Sequence, residues 1–570
     1  MSAKRPLKVV LCWHMHQPYY RDEISGQYRL PWTYLHAIKD YVDMVALLEE
    51  NPAAVAVVNF TPTLMEQISD YARQITAWEK EQTPLRDPLL AALISETLPA
   101  SAERRRELVA HCLRANEKRM IHRFRPYRHL AEIAVLVRKS PASVSYISDQ
   151  YLADLLVWYH LAWLGETVRT HDPRVKALLL KQHTYSMADR EQLLQVIGEQ
   201  IDGVLPRYRR LAEEGRIELS VTPYGHPIIP LMLDMQSTHQ ALPEAPLPAN
   251  GNYPGGLERA RWHIEEGLRV FEEFFGFRPR GCWPSEGAVS EATLALLSEA
   301  NFDWAATGES VLHNSLQRSE VAINGCIHRP FRAEHAPVTC FFRDDGLSDL
   351  IGFTYAEWHS DDALDNLIHH LKNIATACAD EPDRVVPIIM DGENAWEYYP
   401  ENGYHFLTTL YQRLVDEPEI ELTTFSQCLD EGMQAKPLKH LVAGSWVYGT
   451  FSTWIGDAEK NHAWELLTDA KTVFDQVMQE GELDGEARHL AERQLAICEG
   501  SDWFWWFGDY NPSESVKEFD ALYRHQLQAL YRQLGVPVPA SLSHVISTGG
   551  GQLEAGGVMR RGQERHGHHD

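Results

Sequence analysis

Short runs of β-branched and apolar residues alternate with segments of helical periodicity over most of this chain. The runs at 8–13, 55–60, 217–221, 280–283, 304–307, 339–343, 385–390 and 420–423 predict strands. Between several of them, apolar positions at helical spacing predict helices over 34–50, 257–275, 291–300, 361–379 and 404–415. A strand–helix rhythm of seven or eight units implies a parallel sheet closed toward a barrel rather than an open sheet. The expected fold class is therefore α/β, and no internal repeat is visible.

Two stretches break the rhythm. From about 85 to 214 only helical pattern occurs (104–116, 128–138, 149–164, 190–214), which predicts helices inserted between the second and third strands. After about 441 the pattern is helical again (458–480, 485–499, 515–534). The expected organisation is a catalytic barrel over 1–440, a helical domain over 441–546 contributing to the cleft, and a disordered tail over 547–570, glycine-rich and polar.

At 570 residues the chain is too long for one ordinary core, consistent with a large barrel plus accessory regions. Lys+Arg of 53 against Asp+Glu of 80 gives a net charge of −27. That balance favours solubility and repels nucleic acid and anionic membrane, so neither is an expected partner; a neutral polymer is not repelled. Eight cysteines (Cys12, Cys112, Cys282, Cys326, Cys340, Cys378, Cys428, Cys498) form no Cys-x-x-Cys pair, and most have apolar neighbours. They predict reduced, buried thiols in a cytosolic protein rather than a disulfide frame or zinc site. The amino-terminal apolar run is too short for a signal peptide, and no stretch approaches a membrane span of about 20 residues. The expected location is the cytoplasm.

Five segments carry candidate chemistry. In Trp13-His14-Met15-His16-Gln17-Pro18, His14 and His16 point to the same side of an extended chain. They suit either neutral imidazoles bonding sugar hydroxyls or a metal pair; the plainer alternative is satisfaction within packing. His226, between Gly225 and Pro227, follows the third strand and offers a third imidazole at the same rim, although such a histidine is as often structural. In Gly281-Cys282-Trp283-Pro284-Ser285-Glu286, Trp283 offers an apolar face for sugar and Pro284 stiffens the turn presenting Glu286. The bland alternative makes Glu286 a surface cap of the following helix. Asp391 ends the apolar run from Val385 and opens Asp391-Gly392-Glu393-Asn394-Ala395-Trp396. An apolar setting raises a carboxyl pKa, as a general acid requires; a buried pairing with arginine is the alternative. Finally, Ser501-Asp502-Trp503-Phe504-Trp505-Trp506-Phe507 places five aromatics in a row. Some must be exposed or line a cleft, as a sugar platform or an interdomain seam.

These segments, in this order and across nearly the whole chain, resemble glycoside hydrolase family 57. The matching regions are His16-Gln17-Pro18, Gly225-His226-Pro227, Gly281 to Glu286, Asp391-Gly392-Glu393 and Ser501 to Trp506. They look most like the α-amylase and amylopullulanase branch. The resemblance implies an incomplete (β/α)7 barrel with a helical insertion and a helical domain closing over the cleft. It implies Glu286 as nucleophile, Asp391 as general acid/base, and His14, His16 and His226 around the scissile bond. By looser similarity Arg343, Trp446 and Asp502 touch substrate; Trp283, Glu393, Trp396 and Trp503 complete the expected contacts. No metal and no cofactor is required. The implied activity is retaining endo-hydrolysis of α-1,4-glucans (starch, glycogen or maltodextrin), with 4-α-glucanotransferase or branching-type transfer as the alternative. Two other classes fit parts of the pattern: a metal-dependent deacetylase or amidohydrolase built on His14, His16, His226 and Asp391, and a non-catalytic glucan-binding protein.

Overall fold

The computed structural model describes residues 5–319, 326–334, 336–481, 483–551 and 558–562. Its sheet contains β1 (Leu7–Met15), β2 (Ala56–Phe60), β3 (Ile217–Val221), β4 (Gly281–Cys282), β5 (Trp304–Gly308), β6 (Phe331–Ala333), β7 (Thr339–Arg343), β8 (Val385–Asp391), β9 (Ile420–Leu422) and β10 (Lys436–Leu438). Strand order is β10-β6-β7-β5-β4-β3-β2-β1-β8, with β9 beside the start of β1. All pairs are parallel except β6–β7.

The seven strands from β8 through β1–β5 to β7 curve into an incomplete barrel. At its seam, β7 and β8 form no ladder. Individual bonds bridge them instead: Asp344 N–H to the Pro387 carbonyl at 2.8 Å, and Arg343 Nε to the Ile389 carbonyl at 2.8 Å. The short β6 and β10, which the periodicity does not announce, extend the sheet beyond β7.

Alternation explains why the strands read as continuous apolar runs: both faces are buried. Val10, Cys12, Val57, Trp283, Trp304, Phe341 and Ile389 belong to one buried cluster, the barrel interior. Val9, Leu11, Trp13 and Met15, the other parity of β1, pack with the surrounding helices. Gly281 has no β-carbon because the Trp304 indole occupies that space.

Helices fill the insertion, including Arg125–Lys139, Asp149–Trp163 and the long Met187–Glu213. A further helix, Pro62–Glu81, directly follows β2. The predicted single helix over 34–50 is interrupted by a π-turn at Ala37–Tyr41. Ala458–Glu480, Gly485–Cys498 and Ser513–Gln533 form the carboxy-terminal helices. No helix among the described residues is long and apolar enough to cross a membrane.

Two expectations need correction. Cys326 and Cys378 are joined as a disulfide, while the other six cysteines are free and buried. Cys326 has only partial cover, and folding brings it against the end of helix Ser360–Ala377. The tail is not uniformly disordered either. Ser547 N–H donates to Asp520, Gly550 and Gly551 N–H both donate to the Asn511 carbonyl, and 558–562 pack against the body. Residues 552–557 and 563–570, with the closing histidines, lie outside the described residues.

Candidate active site

Strand register builds the first layer of the site. His14 pairs with Asp391 on β8 and with Asn59 on β2, and Asn59 pairs with Ser220 on β3. Four polar side chains therefore sit at one level, at the carboxyl ends of adjacent parallel strands, where barrels keep their chemistry. Asn59 gives its amide Nδ2 to Ser220 Oγ (3.0 Å), and its Oδ1 accepts from Thr222 (2.9 Å) and faces His14 Nδ1 (2.7 Å). His14 must then donate from Nδ1, leaving Nε2 as an acceptor. Burial, with His16 nearby, lowers His14 to about 3, so the ring is neutral.

His16 and His226 stack at 3.8 Å between centroids, and His14 lies 5.4 Å from His226. His16 differs from the other two because its Nε2 meets Asp502 at 2.7 Å. Burial opposes its charge, but Asp502, Glu286 and Asp391 together raise its pKa above the ordinary value. His226 is held low by burial and by its neighbours. Of the three imidazoles, His16 is the one shifted toward its charged form.

The turn that presents His226 is tight: Gly225 has φ +73° and His226 φ 59°. A β-carbon on Gly225 would meet the Ala496 carbonyl oxygen at 2.5 Å, so this loop docks directly on the carboxy-terminal helices. Ser501 completes the contact, giving its N–H to the His226 carbonyl (2.8 Å) and meeting His226 Nδ1 with its hydroxyl (2.7 Å).

Glu286 lies in the short 3-10 turn Ser285–Gly287, with φ 57° and ψ 24°. It does not cap the next helix; Ser290 does, accepting from Thr293 N–H. Trp446 Nε1 donates to Glu286 Oε2 at 3.0 Å, and Ser501 Oγ approaches Oε1 at 3.5 Å. Asp391, at the end of β8, accepts from Asn394 Nδ2 at 2.9 Å, and among the described residues it forms no ion pair with arginine; the nearby Arg343 pairs with Asp345 and Asp349 instead. Burial raises both acids, Glu286 to about 8 and Asp391 to about 6, and the Asp391 charge adds to the shift of Glu286.

His14, His16, His226, Glu286, Asp391, Glu393, Trp446 and Asp502 all line one cleft of about 410 Å³, within the usual range for small-ligand sites. Glu393 takes a hydrogen bond from Gln17 (3.3 Å), and burial pushes its carboxyl well up. The other expected contacts stand behind this wall. Trp283 is fully buried, edge-on to Trp446 at 5.2 Å. Trp396 packs against Trp13 and gives its N–H to the Gly392 carbonyl. Trp503 gives its N–H to the Ile497 carbonyl and stacks on Tyr523. Arg343 pairs with Asp345 (2.7 Å) and Asp349 (2.9 Å) and faces a smaller void beside Asp391, not the main cleft.

The aromatic run divides its work. Trp505 and Trp506 line the cleft, whereas Trp503, Phe504 and Phe507 are buried in the seam. The cleft is also lined by Tyr398, in the motif that begins at Asp391, and by Trp32, Arg114 and Trp163, which the motifs do not mark. Their only sequence signal is aromatic or basic character in the first helix and the insertion.

His16, His226 and Asp502 place potential ligand atoms within 4.8 Å of one another. This differs from the set His14, His16, His226 and Asp391: neither His14 nor Asp391 belongs to the group. A metal would also have to break the direct His16–Asp502 contact, so the group fits an ion pair better than a metal cage.

The family model for glycosyl hydrolase family 57 matches residues 10–441. No curated protein sequence matches the chain significantly. Among solved structures, a branching enzyme of this family from Thermococcus kodakaraensis aligns at TM-score 0.58 and 14% identity, over 92% of this chain and 90% of that one. The α-amylase AmyC from Thermotoga maritima aligns at 0.56 and 14% identity, over 94% and 96%. A 4-α-glucanotransferase from Thermococcus litoralis aligns at 0.51 and 13% identity, over 93% of this chain and 60% of that one. At such identities these likenesses speak for the shared fold. On the family match, covering most of its length, this chain belongs to glycosyl hydrolase family 57.

Proposed function

We propose that this protein cleaves α-1,4-glucosidic bonds with retention of configuration, with Glu286 as nucleophile and Asp391 as general acid/base. The observation that carries the reading is the convergence of these two acids on one cleft lined by three stacked imidazoles and by the indoles of Trp446, Trp505 and Trp506. Sugars present apolar C–H faces and a rim of hydroxyls. Trp446, Trp505 and Trp506 suit the former; the free Nε2 of neutral His14 suits the latter.

In the first step Asp391 gives its proton to the glycosidic oxygen as the bond to the anomeric carbon breaks. A Glu286 carboxylate oxygen bonds that carbon. In the second step water attacks, Asp391 takes its proton, and Glu286 leaves as carboxylate. Burial favours the proton on Glu286, the reverse of these roles. The assignment rests instead on the resemblance and on the donors facing Glu286, the Trp446 indole and the Ser501 hydroxyl, which favour its ionised form. Positive charge developing at the anomeric carbon favours that form further.

Transfer to a second sugar uses the same intermediate, since any hydroxyl that reaches it can replace water. A timed product profile on amylose, pullulan and maltooligosaccharides tests the reading, with NMR assignment of the first anomer formed. Shorter α-configured products are expected. Products longer than the input would make transfer the main reaction; β-configured products would overturn retention, and no products at all would overturn the function.

A further inference from the structure

We propose that the carboxy-terminal segment 558–562 is a strap that blocks one end of the cleft and so sets which part of a glucan chain is cut. This rests on the α-glucan reading above. The segment bridges the two bodies that form the cleft. On the helical side, the Arg560 guanidinium lies over Trp505 (4.5 Å) and Tyr510 (5.0 Å) and donates to the Trp505 carbonyl (3.2 Å) and Thr453 Oγ1 (3.1 Å). On the barrel side, Arg561 lies over Phe353 (4.4 Å), and Gly562 N–H donates to Asp349 Oδ2 (3.0 Å). The Gly562 carbonyl accepts from Tyr448 N–H at 2.9 Å.

The position is what gives the strap a consequence. Val558 forms part of the cleft wall. Met559 and Arg560 roof a separate void of about 30 Å³ bounded by Asp391, Trp446, Trp505 and Arg343. The cleft and the void share Asp391, Trp446 and Trp505, and the strap lines both, through Val558 in the one and Met559 and Arg560 in the other. Without it, the cleft would continue past Asp391 toward Phe353 and Arg343. Arg343, anticipated as a substrate contact, lines the void and not the cleft. An endo-acting site needs room for chain on both sides of the scissile bond; a strapped site accepts only the few sugar residues that fit before the block.

The seat is specific. A β-carbon on Gly562 would meet Asp345 Cγ at 2.5 Å and Arg343 Nη1 at 2.7 Å, so a side chain there unseats the strap without touching the acids. Two variants test the idea: a chain ending at Gly551, and full-length Gly562→Leu. Each is compared with the parent on amylose, measuring loss of iodine staining per reducing end released, and by hydrogen–deuterium exchange over 502–511. The parent should release ends with little loss of staining. Both variants should exchange faster over 502–511 and raise the staining loss per end by about fivefold or more, a change typical of altered subsite access.

The proposal is overturned if exchange over 502–511 is unchanged, if exchange rises but the ratio does not, or if the parent already loses stain as fast as an endo-acting enzyme. Failure of the function reading looks different. No protein, parent or variant, would then release ends from any α-glucan, and the strap's role in specificity would fall with it.

Discussion

Trp446 holds Glu286 at two points: its indole N–H donates to the carboxylate at 3.0 Å, and its backbone N–H donates to the Glu286 carbonyl at 3.1 Å. The second bond is a backbone one and is kept by phenylalanine, so Trp446→Phe removes the first without freeing the loop. A hydrogen bond to a charged group contributes about 1.5–3 kcal/mol, so kcat should fall about 10- to 100-fold. Because the lost donor favours ionised Glu286, the acid limb of the pH–rate profile should also move upward. A fall in rate with an unmoved limb would show that Trp446 only packs.

Buried Glu286 also predicts how the fold responds to pH. Its carboxyl is raised from 4.5 to about 8, so in this window the folded chain keeps a proton that the unfolded chain releases. Stability from this group is complete below the unfolded pKa and is lost as pH rises through the folded one. Glu286→Gln cannot ionise. Its Tm should match the parent near about pH 4 and exceed it near about pH 9. Equal Tm differences at both ends would contradict a buried, proton-holding Glu286.

The same variant addresses the chemistry. Glu286→Gln should cut turnover by about four orders of magnitude or more, as expected for loss of a nucleophile, while maltooligosaccharide binding stays measurable by calorimetry. Parental turnover in this variant would remove Glu286 from the mechanism.

Asp502 supplies the negative charge that raises His16, so Asp502→Asn should return His16 to the neutral form at lower pH. NMR titration of the imidazole signals would register a fall in one histidine pKa. If no histidine titration shifts, the 2.7 Å contact is not an ion pair in solution.

If the imidazole group works without metal, activity should survive exhaustive chelation, and elemental analysis of the active protein should show no stoichiometric transition metal. Loss on chelation with recovery on adding zinc would instead favour metal-assisted chemistry at His16, His226 and Asp502.

The β-runs were legible because these strands are buried on both faces and so carry mostly apolar residues; β1 to β5, β7 and β8 announce themselves this way, while β9 (Ile-Glu-Leu) is only half-buried. The two acids and three histidines were legible for the complementary reason: polar side chains directly after such runs have few places to go except the barrel mouth. The indoles were not. Trp283, Trp396, Trp503, Trp505 and Trp506 look alike in sequence, and only packing decides which ring faces sugar and which faces core.

The sequence by itself determined the strand order in the chain, the helical insertion and the identity of the candidate acids, because local periodicity and neighbouring residues encode these. Tertiary structure alone decided contacts across long separations: Asp502 on His16, Trp446 on Glu286, Cys326 on Cys378, and residues 558–562 on the cleft. A strap of five residues has no periodicity to read; its meaning comes from the surfaces it happens to join.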